Sequence, residues 1–380
     1  MKIAIITFHA SFNYGSMLQA WALQTYLQSL GHNAIIVNYR SKVQRETYHK
    51  PIDFHNIANS LSSCKRLLTF PESIRPLLRK WHLFDDFLCQ ELHLTAEYHS
   101  LCDIRKQDWS SFDLLICGSD QIWNSGAQDS NETYFGNWFP NRKIAYAASF
   151  GPRPENVNWK FTAPLLKGFS ALGLREERGM EKVLEYRPDL KGDLPMEIVC
   201  DPTLLLTASV YDKFVYDKPL IKGDYVFFYT APFVGSEQFA VAAEIGKRLG
   251  CQVITDKAYY PNVLKPYGIC QYLPTGPREF LNLIRHSKLV TGGSFHLLVF
   301  SLLLHKDFLC IDGDKDARTN NLLKITGLEN RIVSLNAPHQ FTLIPIENWS
   351  VVDKNIAEYS SFSREWLSKV IMQHDSKCDN

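Results

Sequence analysis

The amino-acid sequence predicts an α/β protein made of two units, each a parallel sheet wrapped by helices. Three observations carry that expectation. Short apolar runs bounded by turn residues alternate with stretches of helical periodicity along most of the chain. The first set reads strand, loop, helix, strand, an order that implies a parallel pair joined by a right-handed crossover. At 380 residues the chain exceeds one compact core, so two units of about 150–200 residues each are expected.

Taken in order, KIAIITF (2–8) is a buried strand and HASFNYGS its loop. MLQAWALQTYLQSLG then sets Leu18, Trp21, Ala22, Leu23, Tyr26 and Leu27 at helical spacing. Gly31 is suited to end that helix, and NAIIVNY opens the next strand. Residues 40–110 are less regular, with FDDFLCQELHLT reading as helix and then extended chain. FDLLICGSDQIW (112–123) restores the rhythm: LLIC is a central strand and GSDQ its exit loop. KIAYAASFG (143–151) is a further strand, and FSALGLREERG (169–179) and MEIVCDPTLLL (196–206) complete the first unit.

The rhythm lapses over 207–223, where Lys218-Pro219 and Lys222-Gly223 interrupt it, so the crossover between units is expected there. DYVFFYT (224–230) begins the second unit, followed by the helix SEQFAVAAEIGKRLG and the strand CQVITD. TGPREFLNLIRHSKLVTGG reads as a helix with Pro277 in its first turn and then a strand. FHLLVFSLLLHKDFLCID continues as a buried helix and a strand. The expected division is 1–207, 208–345 and a helical tail over 346–380, in which REWLSKVIMQ (364–373) packs back on the first unit.

Composition bounds the function. Hydrophobic residues make up 45% and aromatic ones 13%, enough for large cores, which argues against disorder. The 41 basic and 40 acidic residues leave a net charge of +1, which supplies no broad field for nucleic acid or anionic lipid, although a local basic cleft is compatible with it. Nine cysteines are scattered without a CxxC pair, which fits reduced thiols in a cytoplasmic protein better than a zinc knuckle or disulfide framework. Met1-Lys2 runs straight into a strand and no long apolar span follows, so neither a leader nor a transmembrane segment is expected. With no HExxH, no clustered carboxylate loop and no cysteine pair, no metal is expected either.

The stretch VTGGSFHLLVFSLLLHKDF (290–308) is the most informative. It sets Thr291, Ser294 and His296 between a short strand and a long apolar run. A hydroxyl and imidazole cluster at a strand exit is where an open α/β sheet presents ligand-binding groups. Asn13, Tyr14, Gly15 and Ser16 occupy the matching position after the first strand. There glycine permits a tight turn, and the amides of Ser16 and Met17 are expected to point from the helix N-terminus into a cleft, towards an anion or sugar hydroxyls. GxGxxG and GxxxxGK[ST] are both absent, so this is neither a dinucleotide fingerprint nor a Walker loop.

Six segments together resemble the polysaccharide pyruvyl transferase family: NYGSMLQAWALQTYLQSLGH (13–32), ICGSDQIWN (116–124), YAASFG (146–151), LGLREERG (172–179), CDPTLLL (200–206) and TGPREFLNLIRHSKLVTGGSFHLLVFSLLLHKDF (275–308). They follow the family's order and span roughly residues 1–340. The resemblance implies two facing Rossmann-like domains, the GT-B arrangement, with the substrate cleft between them. It also implies transfer of the enolpyruvyl unit of phosphoenolpyruvate to a saccharide hydroxyl pair, closing to a ketal, with no further cofactor. The acceptor would be a saccharide or lipid-linked glycan of bacterial exopolysaccharide or cell-wall biosynthesis, and peripheral membrane contact is compatible with such an acceptor. The oligomeric state is not readable.

Residue roles follow from the matching positions. His296 corresponds to the family's donor-binding or acid/base histidine; the alternative is a histidine that caps the helix after it. The family's TDSFHGT or TDRFHGT reads TGGSFHLL here, with Gly292 where aspartate usually stands and Leu297 after the histidine. Arg175 matches the arginine of the family's S-V-R-E, suited to a carboxylate or phosphate and held by Glu176, although it also fits a salt-bridged helix start. Asp120, after Gly118 and Ser119, is the candidate base for an acceptor hydroxyl, or else a helix cap. Arg278, beside the amides of Thr275 and Gly276, and Arg318 are candidates for the donor anion. Asp201 reads as the residue that fixes the turn before Pro202. Two other functions fit the same architecture: a nucleotide-sugar glycosyltransferase, and an idle carbohydrate-binding scaffold.

Overall fold

A computed structural model of the chain describes residues 1–373 other than 56, 193 and 232–234; residues 374–380, the end of the expected tail, lie outside them. Among the described residues, two six-stranded sheets form, and every strand pairing is parallel.

The first sheet contains β1 (Lys2–Ile6), β2 (Asn33–Ile36), β3 (Leu114–Cys117), β4 (Arg142–Ala148), β5 (Phe169–Leu174) and β6 (Met196–Ile198), in the order β2-β1-β3-β4-β5-β6. Its helices are α1 (Tyr14–Ser29), α2 (Lys42–Thr47), α3 (Ile57–Thr69), α4 (Ile74–Glu91), α5 (Leu101–Arg105), α6 (Trp159–Leu165) and α7 (Glu177–Tyr186). The stretch 40–110, irregular by sequence, thus holds α2 to α5. β1 and β3 are buried along nearly their whole length, which is why they read as unbroken apolar runs rather than alternating ones.

No strand occurs among the described residues between Ile198 and Tyr225; the short α8 (Ala208–Tyr211) and two turns of 3-10 helix, Pro202–Leu204 and Asp212–Phe214, occupy part of that crossing. The second sheet contains β7 (Tyr225–Phe228), β8 (Gln252–Thr255), β9 (Ile269–Gln271), β10 (Leu289–Gly292), β11 (Phe308–Ile311) and β12 (Ile332–Val333), in the order β12-β11-β10-β7-β8-β9. It carries α9 (Ser236–Leu249), α10 (Pro261–Leu264), α11 (Pro277–His286), α12 (Phe295–Leu303) and α13 (Ala317–Thr326). Gly250 ends α9 in the left-handed conformation, as its place after the periodic run predicts.

In each sheet the chain reverses its direction of winding beside the first strand: between β1 and β3 in one, between β7 and β10 in the other. Such switch points open a crevice beyond the carboxyl ends of the strands. The crevices face each other because the units share a core. Tyr14 stacks on Phe280 with ring centroids 4.4 Å apart, and Trp21 meets Phe214 at 4.8 Å. One apolar cluster runs from Ile3 and Trp21 to Phe227 and Val290. Each large side chain fully buried in it contributes about 1.5–3 kcal/mol, so the two units are welded rather than merely adjacent.

The last helix, α14 (Trp349–Met372), is longer than the segment 364–373 read from the sequence and returns to the first sheet. Its Val370 and Ile371 carbonyls accept from the Arg142 guanidinium at 2.8 and 2.7 Å. A β-carbon on Gly173 would stand 2.7 Å from Trp366, so β5 is glycine there to admit the indole.

Candidate active site

The end of β1 shapes the first wall. Asn13 caps α1, its side chain accepting from the Gly15 and Ser16 amides at 2.9 and 3.3 Å, while the Met17 amide bonds the Asn13 carbonyl. Those amides, expected to face an anion, are therefore already satisfied within the helix. Gly15 lies inside α1 and not in a loop. Its reason is steric: a β-carbon there would stand 2.0 Å from His296 Nδ1. Tyr14 does not join an anion site either. Its hydroxyl crosses to Asp256, and to Thr275 Oγ1 at 2.7 Å, locking the units together.

Exits of β3, β5 and β6 form the second wall. Asp120, in a left-handed conformation at φ 70°, accepts from Ser16 Oγ at 2.6 Å and from the Gln121 amide at 2.8 Å. It caps no helix; its carboxylate is aimed at the start of α1. Gly118 is tied to the sheet, since a β-carbon would meet the Tyr146 carbonyl at 2.3 Å. Arg175 follows β5 and is buried, donating to Ser119 Oγ, with its Nη2 2.8 Å from Asp201 Oδ2.

Asp201 does fix its turn, accepting from the Thr203 amide and hydroxyl at 3.0 and 2.6 Å. It does more than the sequence reading allowed, because the same carboxylate lies 3.4 Å from His296 Nε2. Burial would raise its proton affinity, but Arg175 and His296 outweigh burial and hold it well below the usual carboxylate range. Glu176 behaves oppositely. Burial pushes its carboxyl up to about 7, against the Phe150 amide that donates to it at 2.7 Å and the nearby guanidinium groups.

The second unit supplies the facing wall. α12 begins at Phe295, with Ser294 half-buried at its cap position. The Phe295 ring lies near two cations: Arg175 Cζ is 5.1 Å from its centroid and Arg318 Cζ 5.6 Å. Arg318, in the first turn of α13, makes a two-pronged contact with Asp316 at 3.0 and 2.6 Å. Burial works against its charge, but Asp316 outweighs it, so the guanidinium stays charged. Arg175, Asp201, Phe295, Arg318 and Tyr359 of α14 surround a cavity of about 10 Å³, room for about one water-sized group. Several buried polar atoms here lack a hydrogen-bond partner: Nε and Nη1 of Arg175, Oε2 of Glu176, Oδ2 of Asp201, Nε2 of His296 and Oγ1 of Thr319. Arg175 and His296 thus lie close to Asp201 Oδ2 without hydrogen-bond alignment. Unmade hydrogen bonds cost about 1–3 kcal/mol each, so such a concentration marks a place built to meet something else.

The fold thus brings His296, Arg175, Arg318, Asp120, Ser119, Gly15 and Ser16 to one crevice. Arg278 is not among them: it pairs with Glu91 and lies over Phe214. The adjoining Gly276 amide is taken by Glu279 Oε2 at 2.9 Å, a capping box rather than a phosphate cradle. The Thr291 hydroxyl donates to the Leu309 carbonyl at 3.0 Å inside the sheet. Leu297 is buried in the core. Asp201 and Phe295 were missed as site members although they lie in the segments CDPTLLL and SFH; Tyr359, on α14, carries no local signal and reaches the site only through the fold. Among the described residues, no group of three or more potential metal-ligating side chains gathers, and no helix is long and apolar enough to cross a membrane.

Similarities to known proteins agree with this geometry. Solved structures show the fold: an α-glucosyltransferase in complex with UDP and a 13-mer DNA is 9% identical, with a TM-score of 0.54 over 98% of this chain and 100% of that one. A UDP-GlcNAc 2-epimerase from Neisseria meningitidis bound to UDP-GlcNAc is 12% identical, with a TM-score of 0.51 over 98% and 100%. An S. aureus MnaA–UDP co-structure is 10% identical, with a TM-score of 0.51 over 97% and 95%. The architecture is the GT-B arrangement of two facing Rossmann-like domains. A search of curated protein sequences finds no match. The family model for polysaccharide pyruvyl transferase matches residues 13–315, and the chain belongs to that family.

Proposed function

We propose that this member of the family transfers a pyruvyl group from phosphoenolpyruvate to a pair of hydroxyls on a glycan. The observation that carries the reading is the pair of buried guanidiniums, Arg175 and Arg318, that line one cavity with Phe295, with Nε and Nη1 of Arg175 unpartnered and His296 next to Phe295. A planar fork with free donors suits a carboxylate or phosphate, and phosphoenolpyruvate carries both. Because the cavity holds about one water-sized group, the donor enters only when the walls separate, and closure then excludes water.

In this scheme His296 gives a proton to the methylene carbon of the donor, and one acceptor hydroxyl bonds to the central carbon as its proton passes to Asp120. The carbon–oxygen bond to phosphate breaks, and the second hydroxyl closes the ketal, its proton leaving with phosphate. The two guanidiniums stabilise the departing anion. Asp201 keeps His296 oriented and Arg175 in place, so it is a positioning residue.

The test is ligand-dependent melting with phosphoenolpyruvate and with UDP-sugars, in wild type and in Arg175→Lys. At a donor concentration a hundred times its Kd, stabilisation of about 2.7 kcal/mol is expected, lost in the variant. Stabilisation by a UDP-sugar and none by phosphoenolpyruvate would replace this reading with a nucleotide-sugar transferase.

A further inference from the structure

A surface helix of a water-soluble unit normally turns its apolar stripe inward. α3 does the reverse. Leu61 and Leu68, seven residues apart and so on one face of the helix, are 67% and 84% exposed, and Cys64 between them is exposed as well. Its polar side faces the protein instead: Ser63 is buried, bonding the Asp53 amide and carbonyl at 2.9 and 3.0 Å, and Asn59 donates to the Asp53 carboxylate at 2.7 Å. Phe54, in the loop before α3, adds a further ring that is 58% exposed.

Charge identifies the occupant. Between Lys50 and Arg79 the chain carries Lys50, Lys65, Arg66, Arg75 and Arg79 against Asp53 and Glu72 alone, in a protein whose net charge is only +1; the next residue, Lys80, is taken by Asp256 at 2.9 Å. Lys65 lies next to Cys64 on the exposed face, and Arg75 and Arg79 are exposed on α4. We propose that α3 and the Phe54 loop dock this domain on an anionic lipid bilayer, with Leu61, Leu68 and Phe54 entering the headgroup–acyl boundary and the basic residues meeting lipid phosphates. A second copy of this chain is a poorer occupant, because a two-fold interface would set the same basic patch against itself. Docking of this kind does not depend on which donor the crevice takes.

Co-sedimentation of the whole protein with phosphatidylcholine vesicles, with and without phosphatidylglycerol, tests this without donor or acceptor. Wild type is expected to sediment with the anionic vesicles and roughly tenfold less with neutral ones. Both Leu61→Glu/Leu68→Glu and Lys65→Glu/Arg66→Glu should lose that binding roughly tenfold while melting as wild type does. Absence of binding to anionic vesicles, or binding that survives the leucine substitutions, overturns the proposal. So does a dimer in light scattering that those substitutions dissociate.

Discussion

His296 of the second domain lies with its imidazole against the α-carbon of Gly15 in the first, so close that a β-carbon on Gly15 would stand 2.0 Å from Nδ1 and 2.3 Å from Cγ. The opposite nitrogen, Nε2, is 3.4 Å from Asp201. One histidine is thus gripped between two pieces of the first domain, and the domain interface and the candidate chemistry share a residue.

Gly15→Ala should therefore cost about 1–3 kcal/mol, as overpacking does, read as a lower urea midpoint with an unchanged slope. The double variant Gly15→Ala/His296→Ala should recover much of that stability, because the clash is gone, without recovering turnover. A single Gly15→Ala protein as stable and active as wild type would mean that the ring moves aside freely.

Asp201→Asn removes the counter-charge of a buried guanidinium, and breaking a buried pair from one side costs about 3–5 kcal/mol. Chemical denaturation measures it. A loss below about 1 kcal/mol, the range of exposed pairs, would show that Arg175 reaches solvent or another partner.

Glu176 predicts a pH dependence. Its folded pKa of about 7 lies above the ordinary 4.5, so the folded state binds the extra proton between those values. Its contribution to stability is fully present below about 4.5 and is lost as pH rises through about 7. Above that range the new carboxylate also competes for Arg175 and Arg318, so the affinity for phosphoenolpyruvate should weaken. Glu176→Gln should flatten both trends in calorimetric titrations from acid to neutral pH. A wild-type and variant profile that coincide would remove Glu176 from the linkage.

Gly292→Asp, which would restore the family's usual residue, should damage the fold rather than improve the site. Gly292 has φ 147°, and a β-carbon there would stand 1.7 Å from the Tyr229 carbonyl oxygen. A loss of about 3 kcal/mol or more in thermal unfolding is expected. A stable Gly292→Asp protein would require the β7 exit to shift.

Much of the architecture was legible along the chain because periodicity is local. KIAIITF, LLIC and YVFFYT announce buried strands by composition alone, and MLQAWALQTYLQSLG announces α1 by spacing, since a run covered on both faces or a helix with a wide apolar stripe must be written that way. The candidate histidine and arginine were legible for another reason: they lie in motifs at strand exits. What the linear chain could not decide was which charges meet. Asp201 looked like a turn residue because its bonds to Thr203 are two residues long, whereas its contacts with Arg175 and His296 exist only once β5, β6 and α12 converge. Gly15 looked like a turn glycine because the imidazole it accommodates lies 281 positions away in sequence, at His296. The amides of Ser16 and Gly276 looked free because local side chains that satisfy them, Asn13 and Glu279, compete silently with any ligand. Strand and helix type follow from short-range sterics and the burial of each face; electrostatic pairing and close approach are properties of the tertiary structure, where distance in space replaces distance along the chain.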